Sequence, residues 1–509
     1  MSRSALSVPL AVALALSLAL SAPVAAAGLT PSVAHETLTS TAPTSTSTRS
    51  REPSVATHPS NPNTIAVTYP QGDTHPSVVI RVSHDGGKTF RTATGNPRGG
   101  GNHPVIAWGP GPIAGSARLY FGAMTTYGGR CCYFGVSYSD NEGRSWSAPF
   151  VAHTTTPWFG GFPYLATDNN KASPNFGNVY AAYNWPKDPN RGPGLRLMAS
   201  SNFGRTFNQI EVPAARPPAG YGDTWRIDYR IATAADGSAY VAFYQRDVKV
   251  WTKANLFSYG SMSNVGRIGF SVAHFTYDRS TGRFTLGPSV LAVRMAKTSW
   301  NIGAGSGTAG LTDPMWNFGL DVDPTTGTVY LATGVDGGIR VYSSANGGAT
   351  WSSNGLPAPP RYGGKSQRIF HPNIVIGKGF MMVTLHTIAG TSVGNSYSAS
   401  FDGGRTWSVP RPVSVSRWQT GNIGSVYLGV GLRERAALTA DGTHVFWAFG
   451  DGRRAAGHHG LSAVYGALIA VSGSVPTAAP TAPPTPNPTP TAPPTPNPTP
   501  TAPPTPDPT

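Results

Sequence analysis

Residues 223–230, DTWRIDYR, bring two arginines, two aspartates and two aromatic side chains into one short stretch. In an extended strand alternate side chains share a face, so this spacing puts Arg226, Asp228 and Arg230 together. An arginine fork grips a carboxylate through paired hydrogen bonds. An aspartate beside such a fork is a candidate general acid or base for cleaving a glycosidic bond. A salt-bridged plug that only stabilises the interior fits the same residues. Other ionisable groups sit in weaker patterns. His458 and His459 lie in the polar loop GRRAAGHHG, and Asp321 and Asp323 in the Asp-Pro turn LDVDPTTG. Turn chemistry explains both, so neither a metal nor a cofactor is expected.

The elements that would hold such groups are short strands. An octapeptide of the form S-x-[DN]-x-G-x-[ST]-[WF] occurs five times: SHDGGKTF (83–90), SDNEGRSW (139–146), SSNFGRTF (200–207), SANGGATW (344–351) and SFDGGRTW (400–407). Its chemistry is that of a hairpin tip. The Asp or Asn accepts from backbone N–H groups of the turn, the glycine supplies a positive φ, and the aromatic packs beneath. Starts are spaced by 56, 61, 144 and 56 residues, and YDRSTGRF (277–284) fills the long gap as a degenerate sixth copy. Each copy follows a strand, a turn and an aromatic-rich strand. A seventh such unit, RERAALTADGTHVFWAFG (433–450), ends without the octapeptide. Periodic β-units of about 60 residues predict an all-β fold. The expected architecture is a single β-propeller of four-stranded blades, with seven blades favoured and six the alternative.

The octapeptides resemble the Asp boxes, or bacterial neuraminidase repeats, of the sialidase superfamily, and the resemblance runs through nearly all of 51–475. It implies boxes on peripheral hairpins, which makes Asp85, Asn141, Asn202, Asn346 and Asp402 structural residues. It also implies carbohydrate chemistry. Members hold a substrate carboxylate with three arginines, use a tyrosine polarised by a glutamate as nucleophile, and use an aspartate as acid/base. Similar boxes occur in sialidases, in xyloglucan- and arabinan-hydrolysing propellers, in some lyases and in sorting receptors, so fold alone does not name a reaction. The first arginine of the superfamily stands in Arg-Ile-Pro on the opening strand. Here that strand reads REPSVATHP, and RID (226–228) and RIF (368–370) lack the proline.

A propeller binds ligands at one mouth of its channel, where the innermost strands begin. The repeat starts nominate Glu52, His103, Arg226, Arg230, Asp313, His371 and Arg435 as substrate-binding residues, with Asp228 as acid/base. Tyr427, in GSVYLGVGLRER, precedes Glu434 by seven residues and is the candidate for the tyrosine–glutamate pair that the resemblance implies. Aromatics in WFGGFPY (158–164) and WNFG (316–319) could stack on sugar rings or pack between blades. Two readings stay open. One is an exported glycan-acting enzyme, such as an exo-glycosidase with carboxylate acid/base chemistry. The other is a non-catalytic propeller that recognises glycan or protein, and a polysaccharide lyase is a third possibility.

Composition sets the frame. Residues 1–27 carry one early arginine, an apolar run of about thirteen residues and the small residues SAPVAAAG. That is the layout of a signal peptide, and the run is too short for the roughly 20 residues of a membrane span. Residues 28–50 read as a flexible Ser/Thr-rich leader, 51–475 as the propeller and 476–509 as a Pro/Thr-rich low-complexity tail. The expected product is secreted, extracellular and monomeric. A formal charge of +15 is carried mostly by arginine. It suits an anionic glycan or reflects codon usage, while scattered basic residues argue against nucleic acid. The two cysteines, Cys131 and Cys132, are adjacent; a strained vicinal disulfide is expected, and a disulfide scaffold is excluded.

Overall fold

The computed structural model describes residues 28–40, 50, 52–72, 77–95, 97, 103–127, 130–152, 163–185, 194–215, 223–248, 265–295, 318–335, 338–414, 416–419, 434–453 and 462–473. Every regular element in them is a β-strand. The strands form seven antiparallel sheets, each with a four-stranded path; the fourth and sixth carry one additional short strand. The innermost strands are Ser54–Thr57, Val105–Pro110, Tyr164–Thr167, Asp223–Thr233, Gly319–Val322, Arg368–Gly377 and Arg435–Leu438. Each touches the next in order, and the seventh returns to the first. The molecule is a seven-bladed propeller, so the six-bladed alternative falls.

Apolar residues on both faces of every blade produce a core made of layers rather than one centre. Seven clusters lie one in each gap between consecutive blades, and the last joins Phe446, Ala448 and Val464 of blade seven to Ile65, Val67 and Tyr69 of blade one. A fully buried side chain of this size contributes about 1.5–3 kcal/mol. Closing the ring is therefore what lets blades one and seven bury their outer faces.

The five octapeptides all turn the third strand of a blade into its fourth. Their geometry repeats. The serine hydroxyl donates to the Asp or Asn side chain at 2.7–3.0 Å and accepts the glycine N–H at 2.8–2.9 Å. The Thr or Ser N–H at position seven returns to the same Asx oxygen at 2.8–3.0 Å. The terminal aromatics, Phe90, Trp146, Phe207, Trp351 and Trp407, each enter the layer shared with the preceding blade. Gly87 shows why position five is glycine. Its φ is +90°, and a Cβ there would stand 2.3 Å from the ring of Phe446 in blade seven. Blade four's YDRSTGRF occupies the same turn but closes differently, with Asp278 accepting from Ser280 and Thr281. Its Phe284 still packs against the gap to blade three.

Blade seven has no octapeptide because its fourth strand comes from the other end of the chain. Thr30–Leu38 pairs antiparallel with Ala463–Ser472. This corrects the expectation of a flexible leader over that stretch: the final blade lacks an outer edge until the N-terminal strand supplies it. Arg453 ties it down, reaching Glu36 at 2.8 and 2.9 Å and Asp451 at 2.6 Å. Residues 1–27 and the 476–509 tail lie outside the described residues. The backbone of Cys131 and Cys132 lies in the strand Arg130–Ser139, but their side chains lie outside the described set.

Candidate functional site

The inner strands begin at one mouth of the channel, and their first residues have an unusual backbone. Six non-glycine residues have positive φ. Two of them, Glu142 and Phe203, occupy the fourth octapeptide position, where three of the copies have glycine. The other four are Glu52 (46°), His103 (59°), Asp228 (50°) and His371 (51°), at the repeat starts of blades one, two, four and six. Three of these precede a proline, which restricts the backbone further. Non-glycine residues in such conformations cost of order 1–3 kcal/mol each. A ring of ionisable side chains is thus held at the mouth against local preference.

Three acid–base pairs stand in this ring. Glu52 Oε2 meets His103 Nδ1 at 2.7 Å, joining blades one and two. Asp228 Oδ1 accepts from Arg230 Nη1 at 3.1 Å within blade four. Glu434, at the start of blade seven, takes His386 Nε2 of blade six at 2.5 Å and the Gly450 N–H at 2.7 Å. His371 lies against Phe370 and His386, with ring centroids 5.0 and 6.3 Å away. Two arginines converge on Tyr164 of blade three: Cζ of Arg435 stands 3.9 Å from its ring centroid and Cζ of Arg230 stands 5.5 Å away. Arg230 also lies 4.7 Å over Phe318, beside the start of blade five.

Asp228, Arg230, Glu52, His103, His371, Glu434 and Arg435 therefore lie around one mouth. Arg226 does not join them. A β-bulge between Ile227 and Tyr229 absorbs Asp228 as an extra residue, so Arg226 and Arg230 fall on opposite faces of the strand. Arg226 turns to blade three, donating to Val212 O at 2.5 Å and facing Glu211 at 3.5 Å. The expected shared face of Arg226, Asp228 and Arg230 is corrected on this point. Asp313 and Tyr427 lie outside the described residues.

The residues missed from the sequence are His386 and the role of Tyr164. A single histidine in the apolar strand Phe380–Ala389 offers no local signal, and only the fold brings it to Glu434. Tyr164 stood in an aromatic-rich segment, but nothing local pointed to a guanidinium above it. Among the described residues no group of three His, Cys, Asp or Glu side chains is arranged to hold a metal ion.

At the far end of the inner strands, Asp321 links two blades. It accepts from Val322 N at 2.9 Å and from Ile376 N of blade six at 2.8 Å. The residue is half-buried, but its carboxylate sits inside the seam. Burial pushes it up to about 7 despite the two N–H donors. The box acids go the other way. Burial opposes ionisation of Asp85 and Asp402, but the hydrogen bonds from Thr89 and Ser83, and from Thr406 and Ser400, outweigh it and hold both below the usual carboxylate range.

No family model matches the chain, and no curated protein matches it. Solved structures of similar fold are found at low identity. The α-L-arabinofuranosidase Arb93A of Fusarium graminearum is 12% identical with a TM-score of 0.39, covering 74% of this chain and 98% of its own. A PL25 ulvan lyase is 13% identical with a TM-score of 0.44, covering 79% and 91%. The phage phi92 endosialidase is 12% identical with a TM-score of 0.39, covering 86% and 69%. At this level the likeness is one of fold.

Proposed function

We propose that this chain is an exported propeller of sialidase-like, Asp-box architecture whose channel mouth binds and cleaves extracellular glycans. The observation that carries the reading is the ring of Glu52, His103, Asp228 and His371, four ionisable residues held at positive φ at matching places in four blades. Strain at equivalent positions of different blades is not needed to build a propeller, which is why we read the ring as a ligand site. Asp228, held by Arg230 and almost completely covered, is the carboxylate we assign to stabilising, through the low-dielectric interior, positive charge developing on the sugar ring. Arg435, stacked over Tyr164, is the cationic group we assign to a sugar that bears an acidic group.

The test is release of sugar from fluorogenic sialosides and from a panel of plant and microbial polysaccharides by the full-length protein. Asp228→Asn is expected to lower release about 100-fold or more. An active Asp228→Asn protein would remove that residue from the chemistry.

A recognition propeller without catalysis is the second reading, and one contact favours it. Arg435 packs over Tyr164, and Arg230 over Tyr164 and Phe318, contacts that a structural plug would also make. Glycan binding with no release from any substrate would select this reading.

A further inference from the structure

The three acid–base pairs of the mouth differ in access. Both members of Asp228–Arg230 and of Glu434–His386 are almost completely covered. In the third pair His103 keeps 17% of its side-chain surface exposed, with Glu52 buried behind it. A carboxylate can only accept, so the 2.7 Å contact makes His103 Nδ1 the donor. That bond selects the tautomer with the lone pair on Nε2 and supports positive charge on the ring. Both residues sit at positive φ, and each directly precedes a proline, Pro53 and Pro104. The two backbones are thereby pinned at the starts of neighbouring blades, which fixes the imidazole over the mouth.

We infer that His103 is the proton-transfer group of this mouth and that Glu52 is its positioning residue. The inference rests on the glycan-cleaving reading and names the group within it that moves the proton. In hydrolysis, Nε2 takes one proton from a water molecule, whose oxygen keeps the other and bonds to the sugar carbon. The glycosidic C–O bond breaks with its electron pair on the departing oxygen, and that oxygen receives the proton back from Nε2. Glu52 balances the imidazolium in between. Asp228 remains the charge-stabilising carboxylate, so an imidazole rather than a second carboxylate completes the pair. Activity should then follow the ionisation of an imidazole, in the range between pH 5 and 8 that lies above the ordinary carboxylate range.

The experiment is sugar release by the full-length protein on the polysaccharide panel from pH 4 to 9, with His103→Ala, His103→Gln and Glu52→Gln variants. Thermal midpoints are followed in parallel. The expected results are a rate that rises with pH through the imidazole range and a loss of about 100-fold or more in kcat for His103→Ala. Added imidazole should restore part of that loss. Glu52→Gln should lower kcat about tenfold with KM unchanged, and move the rising limb of the profile to lower pH. A wild-type protein that cleaves while His103→Ala stays within threefold of it, with the same pH profile, overturns this inference and leaves the glycan-cleaving reading standing. Silence of the wild type on every substrate overturns both. If His103→Ala does not fold, Glu52→Gln decides, and an unchanged pH profile there counts against the inference.

Discussion

Arg435 of blade seven lays its guanidinium 3.9 Å from the ring centroid of Tyr164 in blade three. Those blades are not neighbours, so the contact spans the channel rather than an interblade seam. Arg230 approaches the same ring from blade four. A desolvated cation–π contact is worth about 2 kcal/mol. Tyr164→Leu keeps most of the apolar volume and removes the π face. We expect it to lower stability by about 1–2 kcal/mol, read as a lower thermal midpoint. A variant that melts with the wild type but binds glycan poorly would make Tyr164 a ligand platform instead of a plug.

The Glu434–His386 pair makes a sharper demand on stability. Both side chains are fully covered, and Glu434 also receives the Gly450 N–H. Removing one partner of a buried pair leaves the other uncompensated and costs about 3–5 kcal/mol. His386→Ala is expected to fall in that range. His386→Leu combined with Glu434→Gln should cost less than His386→Leu alone, because the surviving amide still accepts from Gly450 without a buried charge. Additive losses in the double variant would show that the two side chains are not coupled.

Asp321 sets a pH dependence of opposite sign to the boxes. Its folded-state value of about 7 lies above the 3.8 of an ordinary aspartate. Between those values the folded protein holds a proton that the unfolded chain has released. Its contribution is full below about pH 4 and is lost as pH rises through 7. Asp85 and Asp402, held low, contribute above the ordinary range and lose that contribution as pH falls. Asp321→Asn should flatten the decline in thermal midpoint between pH 5 and 8 and leave the acid-side limb in place. An unaltered slope would mean that the seam carboxylate does not titrate in that window.

What the sequence made legible divides along the range of the interactions. The octapeptide turns were readable because Ser83, Asp85, Gly87 and Thr89 satisfy one another within seven residues. Seven units were readable because each strand pair repeats its own alternation. The bulge at Asp228 was not, because one extra residue in a strand leaves the local pattern intact and only the partner strand, Ala239–Val248, reveals it. Plain alternation therefore puts Arg226 on the wrong face. The mouth residues were nominated by position alone. Their pairing across blades, Glu52 with His103 and Glu434 with His386, depends on sequence separations of 51 and 48 that no local signal encodes.

The N-terminal strand is the clearest case of tertiary context overriding composition. TPSVAHETL is polar and would be unremarkable as a loop, yet it completes blade seven. Its anchor is Arg453, which holds Glu36 through two nitrogens, stacks on Tyr465 and donates to Ser414. Tyr397 adds a hydrogen bond to the Pro31 carbonyl at 3.0 Å. Because Asp451 lies buried beside the same guanidinium, Arg453→Ala exposes a network to an uncompensated charge, whereas Glu36→Gln removes only the outer partner. Arg453→Ala is expected to cost about 3 kcal/mol or more and Glu36→Gln about 1 kcal/mol. Limited proteolysis checks the location of the damage: cleavage near residues 28–40 should precede any cut within blades two to five. Cuts that begin in those central blades would show that the ring does not depend on this strand for closure.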